Sequence, residues 1–183
     1  LRLFGIIGAQ VGDNFDDLFV PFRCVASDIK KKESVVFRKG KLNAAVRASM
    51  TYPFYVNPIS IDGVLYFDGG LYNNFPADVM YEEFHADYLI GSNVSWNTAP
   101  PTEDDVLSHV RNMLLTPTNF NLPCESGILI NPKAPIGTFD FNKSEQAILL
   151  GYESAQAYID SIKTYVTRTI SADSIRRKRN AFR

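Results

Sequence analysis

An aspartate followed by two glycines, Asp68-Gly69-Gly70, comes directly after the short β-rich run 63–67 and is the grouping in this chain best placed to do chemistry. In open α/β sheets functional groups sit where a strand ends. Glycine adopts backbone conformations barred to other residues and lets another segment approach closely. A carboxylate held on a rigid strand end, beside an uncluttered backbone, has the makings of a general base. Asp-Gly is also a common turn dipeptide, so a plain β-turn accounts for the same residues. Residue types alone leave both readings open.

The other reactive groups form weaker constellations. His85 lies at a predicted helix end and His109 flanks the apolar face of the segment 105–114. Neither has a nearby serine in a tight turn or an orienting acid, and both read as structural or surface histidines. The run Asp13-Asn14-Phe15-Asp16-Asp17 lacks the loop glycine and distal glutamate of a calcium loop and reads as a solvated turn. Cys24 and Cys124 are far apart in sequence and match neither a metal spacing nor a disulfide framework, so buried free thiols are expected. The sequence therefore calls for no metal and no cofactor. Gly5, Gly8 and Gly12 are followed by no Lys-Ser/Thr pair, so they make no phosphate loop. Tyr52, Phe54, Tyr55 and Val56 around Pro53, with Leu71-Tyr72 after the acid, suit either an acyl-chain groove and lipid surface or ordinary core packing.

The elements that would position these residues alternate. Phe19–Ser27 and Ser34–Phe37 read as strands of a hairpin around the basic turn Lys30-Lys31-Lys32. Leu42–Met50 has helical spacing, kept slim by Ala44, Ala45 and Ala48, and Pro53 stops it. Gly63–Phe67 is a strand running into the acid, and Pro76 opens a helix ending near His85. Asp87–Val94 and Gly127–Asn131 read as further strands, the first as a buried parallel type. Thr102–Asp105 resembles a cap for an apolar face of Val106, Leu107, Val110, Met113 and Leu114. One long helix is expected over Ser144–Val166, with Ile148, Leu149, Tyr152, Ala155, Ile159, Ile162 and Val166 as a stripe laid on a sheet. Arg176-Arg177-Lys178-Arg179 reads as a solvated basic tail or linker. The pattern implies an α/β domain with a mainly parallel sheet and helices on both faces, in residues 1–169, followed by the tail 170–183.

The formal net charge of −1 gives no global attraction for nucleic acid, and no stretch approaches the roughly 20 apolar residues that cross a bilayer. With 45% hydrophobic and 21% charged residues the composition is that of an ordinary globular protein.

Three pieces of the chain resemble the patatin-like phospholipase family. Pro21–Asp28 is similar to the family's strand ending in Ala-Thr-Asp, with Ser27 in the threonine position. Ala45-Val46-Arg47-Ala48-Ser49, then Pro53, is similar to its helix and proline turn. Asp68-Gly69-Gly70 with Asn73, Asn74 and Pro76 resembles its acid motif, and Asp140-Phe141 through Gly151-Tyr152 more loosely resembles a C-terminal helix. The resemblance spans roughly residues 18–166. It implies a three-layer α/β/α fold and a serine–aspartate catalytic pair with no histidine. Asp68 would be the acid, supported by Gly69, Gly70 and Asn74. Such a carboxylate must be shielded from water so that its pKa rises above the free value of about 3.9.

The family's Gly-x-Ser-x-Gly turn and glycine-rich oxyanion loop do not occur in these residues, and the chain opens on Leu1. The expectation is a domain incomplete on its N-terminal side, inert alone, whose parent hydrolyses a phospholipid or other acyl-ester lipid. An inactive lipid-binding or scaffold module is the alternative. A membrane surface and a bacterial envelope setting agree with the resemblance. Missing upstream strands would leave a sheet edge near Phe19–Ser27, to be covered by another copy, as a homo-oligomer, or by another segment.

Overall fold

The computed structural model describes residues 2–97, 99–167 and 169–182, and the side chain of Leu107 lies outside the described residues. In chain order the elements are α1 (Arg2–Gln10), β1 (Cys24–Asp28), β2 (Glu33–Phe37), α2 (Leu42–Ser49), β3 (Ile59–Ile61), β4 (Val64–Asp68), α3 (Ala77–Phe84) and β5 (Leu89–Ser92). They continue with α4 (Val106–Leu114), β6 (Gly127–Ile130), α5 (Ser144–Gln156), α6 (Ile159–Tyr165) and α7 (Ala172–Phe182). Two compact units form: residues 1–76, 97–118 and 177–183 make the first, and residues 77–96 and 119–176 the second.

The first unit is built on a four-stranded sheet in the order β2-β1-β4-β3. Its pairings are antiparallel, with Cys24 opposite Phe37, Ala26 opposite Asp68 and Ile59 opposite Tyr66. The fold is α/β as expected, but among the described residues parallel pairing is confined to β5 and β6 of the second unit, from Leu89 opposite Gly127 to Ser92 opposite Ile130. Local chemistry explains the difference. The β3–β4 turn is Asp62-Gly63, both at positive φ, and a two-residue connection joins only antiparallel strands. Asp28 and Lys32 close the β1–β2 hairpin in the same way, Lys32 N–H donating to the Asp28 carbonyl at 2.8 Å.

All five residues of β1 are buried, because the strand is paired on both sides and covered. This overturns the expected bare edge near Phe19–Ser27. The strand starts only at Cys24; Phe19 and Val20 are exposed, and the outer strands of this sheet are β2 and β3. Proline at position 21 removes one ladder donor and helps keep the preceding residues out of the sheet. Against one face of β1 lies α2, through Leu42, Ala45 and Ala48. The alanines let helix and sheet approach closely, and Phe15, Cys24, Ala26, Tyr66 and Phe37 fill the layer between them. Phe37 and Tyr66 meet edge to face at 5.2 Å.

In the second unit the single long helix expected over Ser144–Val166 is two, α5 and α6, broken at Ala157-Tyr158. Its stripe does not pack on a sheet: Ile148 is 71% exposed, and Leu149, Tyr152 and Val166 are also solvent-facing. Helical periodicity marks an apolar face without saying what covers it. The basic tail is helical as well, forming α7. The helix α4 is capped by Asp105, which accepts a hydrogen bond from Ser108 N–H at 3.1 Å, three residues later than the Thr102–Asp105 capping box places the cap.

Candidate functional site

Asp68 is the last residue of β4 and at the same time the cap of the short 3-10 turn Gly69–Leu71. The two sequence readings therefore coincide: the carboxylate ends a strand and opens a turn. Its backbone is held on both sides. The Asp68 N–H donates to the Thr51 carbonyl at 2.9 Å, and the Asp68 carbonyl accepts from the Ser27 hydroxyl at 2.8 Å. Its Oδ1 accepts from Gly70 N–H at 2.8 Å. Oδ2 has no hydrogen-bond partner among the described residues, which leaves one carboxylate oxygen to receive a proton.

Asp68 is half-buried. Burial pushes its pKa above the ordinary carboxylate value, and the Gly70 N–H, by favouring the charged form, pulls partly back. A general base acting near neutral pH needs a shift of that sign.

The glycines have different jobs from the ones their type advertises. Neither Gly69 nor Gly70 adopts positive φ. Gly69 is there for close approach: a Cβ on it would stand 2.5 Å from the Val25 carbonyl oxygen of β1. At Gly70 a Cβ would stand 2.7 Å from Asn74 Oδ1 and 3.1 Å from Asp68 Oδ1. Asn74 Oδ1 and Asp68 Oδ1 thus both lie beside Gly70. The turn itself is tied down where Leu71 O accepts from Thr116 N–H at 2.8 Å.

Other expectations fall into place by contrast. Asp28 is almost fully buried and its Oδ1 accepts from Lys30 N–H at 2.8 Å and Lys31 N–H at 3.0 Å. It braces the hairpin turn and is spent there. Asp28→Ala, which leaves two turn donors without their acceptor, is expected to cost about 1–3 kcal/mol. A denaturant midpoint unchanged from the native protein would contradict that role.

His85 is exposed, and His109 Nε2 lies 2.6 Å from Thr102 O at the start of α4. Cys24 is buried, with its thiol pKa pushed up to about 12 by desolvation; Cys124 is half-buried, and both are free. Asn14 caps the turn Phe15–Asp17, so the acidic cluster is structural. Among the described residues no cluster of His, Cys, Asp and Glu is arranged to hold a metal. No helix among them is long and apolar enough to cross a membrane. Beyond α2, the aromatic loop is on the surface, with Phe54 73% exposed at positive φ and Tyr55 also exposed; Tyr52 and Tyr55 meet edge to face at 5.5 Å.

Sequence reasoning missed two features. Thr51 is completely buried, its hydroxyl donating to the Arg47 carbonyl at 2.7 Å and accepting from Arg47 Nη1 at 2.6 Å. In the second unit, a groove of about 510 Å³ opens where β5 and β6 end, lined by Asn93, Trp96, Asn131 and Lys133 among others. Strand ends are where such grooves form, but no residue pattern marked this one.

Comparison with known proteins finds a family match over part of the chain. Residues 11–81, which contain β1 to β4, the acid turn and the start of α3, match the patatin-like phospholipase family. A patatin-like phospholipase domain-containing protein of Caenorhabditis elegans is 45% identical over 67 residues, 36% of this chain and 5% of that protein. Uncharacterized NTE family proteins of Mycobacterium bovis and Mycobacterium tuberculosis are 34% identical over 89 residues, 49% of this chain and 24% of theirs. The matched region thus spans a quarter or less of each of these relatives.

Proposed function

We infer, from the match of residues 11–81 to the patatin-like phospholipase family, that the protein is a lipid acyl hydrolase with Asp68 as its general base. One observation carries this reading: a half-buried carboxylate at a strand end, one oxygen held by Gly70 N–H and the other left to accept a proton.

The proposed reaction needs a hydroxyl nucleophile. Ser27 does not supply it, since its hydroxyl is fully buried and donates to the Asp68 carbonyl. The nucleophile is a serine contributed from polypeptide outside these 183 residues, in keeping with the absence of Gly-x-Ser-x-Gly here. Asp68 takes the proton from the serine Oγ as that oxygen attacks the ester carbonyl carbon. The tetrahedral oxyanion is held by backbone N–H donors and collapses, breaking the ester C–O bond. Protonated Asp68 returns the proton to the departing alcohol. Water then repeats the sequence on the acyl-serine, with Asp68 again accepting and returning a proton. The exposed Phe54 and Tyr55 beside α2 suit contact with a lipid surface, where tyrosine keeps one side wet.

A fluorophosphonate probe, which reacts with activated serines, tests this directly. The full-length protein should be labelled on one serine that lies outside these 183 residues, and should release free fatty acid from phospholipid vesicles. The isolated 183-residue chain should stay unlabelled. A labelled serine within the chain would refute the division of labour, and an unlabelled, inactive full-length protein would make it a non-catalytic lipid-binding module.

A further inference from the structure

The geometry points to Ser27 and Thr51 as a pair of positioning residues that grip the Asp68 backbone from opposite sides and so aim its carboxylate. This rests on the reading of Asp68 as the base. Both side chains are completely buried polar groups, contributed by β1 and by the loop just after α2. Buried hydroxyls are normally satisfied, and satisfaction alone would be a sufficient account of either. What sets this pair apart is that the Ser27 hydroxyl and the Thr51 main-chain carbonyl converge on one residue, on either side of its Cα, while the Thr51 hydroxyl anchors that carbonyl through Arg47. Thr51 takes the N–H of Asp68 and Ser27 holds its carbonyl. Fixing both peptide planes fixes φ and ψ, here −47° and 136°, and with them the direction of the Cα–Cβ bond.

Thr51 is itself fastened. Its hydroxyl exchanges hydrogen bonds with the Arg47 carbonyl and guanidinium, and Arg47 Nη2 donates to the Asn57 carbonyl at 3.0 Å. Arg47 thereby pins both ends of the loop that follows α2, so the Thr51 carbonyl has little freedom to drift from Asp68. Gly70 N–H then sets the remaining side-chain torsion by holding Oδ1. Every degree of freedom of the acid is accounted for except the oxygen left to react. A displacement on the order of 1 Å in such a group costs about 10²-fold in turnover.

The test uses the full-length protein with Ser27→Ala and Thr51→Val, each removing one hydroxyl at nearly constant volume. Each is expected to lower kcat by roughly tenfold or more, with KM for a phospholipid substrate nearly unchanged. In 15N-glycine-labelled protein the Gly70 amide should shift and lose protection, because its acceptor is no longer held in place. Ser27→Thr, which keeps the hydroxyl, should retain turnover and the native Gly70 signal. A purely structural role would lower the melting temperature but leave the Gly70 amide and kcat per folded molecule alone; that result would overturn the proposal. Should Ser27→Ala not fold, Ser27→Cys, with its weaker S–H donor, carries the test with the same readouts. If Asp68→Asn proves fully active, the base reading fails, while the Gly70 amide still reports whether the grip exists.

Discussion

Asp68→Asn in the full-length protein is expected to lower kcat for an acyl-ester lipid by roughly 10²–10⁴-fold, the range lost when a positioned general base is removed. The same substitution should make the protein more stable at neutral pH. The amide has the shape of the carboxylate and still offers Gly70 N–H an acceptor, so the turn Gly69–Leu71 keeps its cap. What disappears is a charge held where burial disfavours it. Burial raises the Asp68 pKa, so the folded state holds the proton more tightly than the unfolded chain does. The native protein therefore has the stability of the neutral acid below the unfolded pKa, and loses it as pH climbs through the higher folded value. Asp68→Asn never incurs that loss. Melting temperatures of both proteins across pH 4 to 8 should converge at the acid end and separate towards neutrality, with the variant higher. A variant that melts lower than the native protein at pH 7, or turns over at native speed, would show that the carboxylate is a structural cap and no base. Gains in stability on removing a catalytic group follow from the strain an active site maintains.

The acid turn was readable because its chemistry is compressed into adjacent residues: strand, carboxylate, two glycines. Its supports were not, because they come from 41 residues before Asp68, at Ser27, and from the carbonyl of Thr51. Periodicity located most elements to within a few residues. It could not settle strand direction, since β1, β2 and β4 owe their antiparallel pairing to turn chemistry and register. Nor could it say which face of α5 is covered. Ile148, Leu149 and Tyr152 have the spacing of a packing stripe yet face solvent. The edge expected near Phe19–Ser27 from missing upstream strands is not where β1 lies, because β2 and β4 flank it on both sides: order along the chain does not dictate order across a sheet.

The second large effect is structural and falls on Gly69. A methyl group at Gly69 would meet the Val25 carbonyl oxygen at 2.5 Å and carbonyl carbon at 2.9 Å. Both belong to the backbone of β1, a strand paired on both sides and wholly buried, so neither can swing away as a side chain would. Gly69→Ala must instead push β4 or the acid turn off β1, an overpacking cost of about 1–3 kcal/mol. For a chain of this size each kcal/mol moves the melting temperature by about 2–4 °C. Gly70→Ala provides the contrast, because its new methyl would meet Asn74 Oδ1 at 2.7 Å and Asp68 Oδ1 at 3.1 Å, both side-chain atoms. Those atoms can yield, so the melting temperature should fall less; the atom displaced is the carboxylate itself, so turnover should fall more per folded molecule. Gly151→Ala completes the set. It lies within α5 with open space around it, and should be neutral or stabilise by up to about 1 kcal/mol through helix propensity. Thermal melts and turnover on the three variants separate the two duties of the paired glycines, Gly69 admitting the neighbouring strand and Gly70 presenting the acid. Were Gly69→Ala to melt with the native protein, β1 and the acid turn could not be packed as tightly as the Val25 contact requires, and the rigid mounting of Asp68 would lose its foundation.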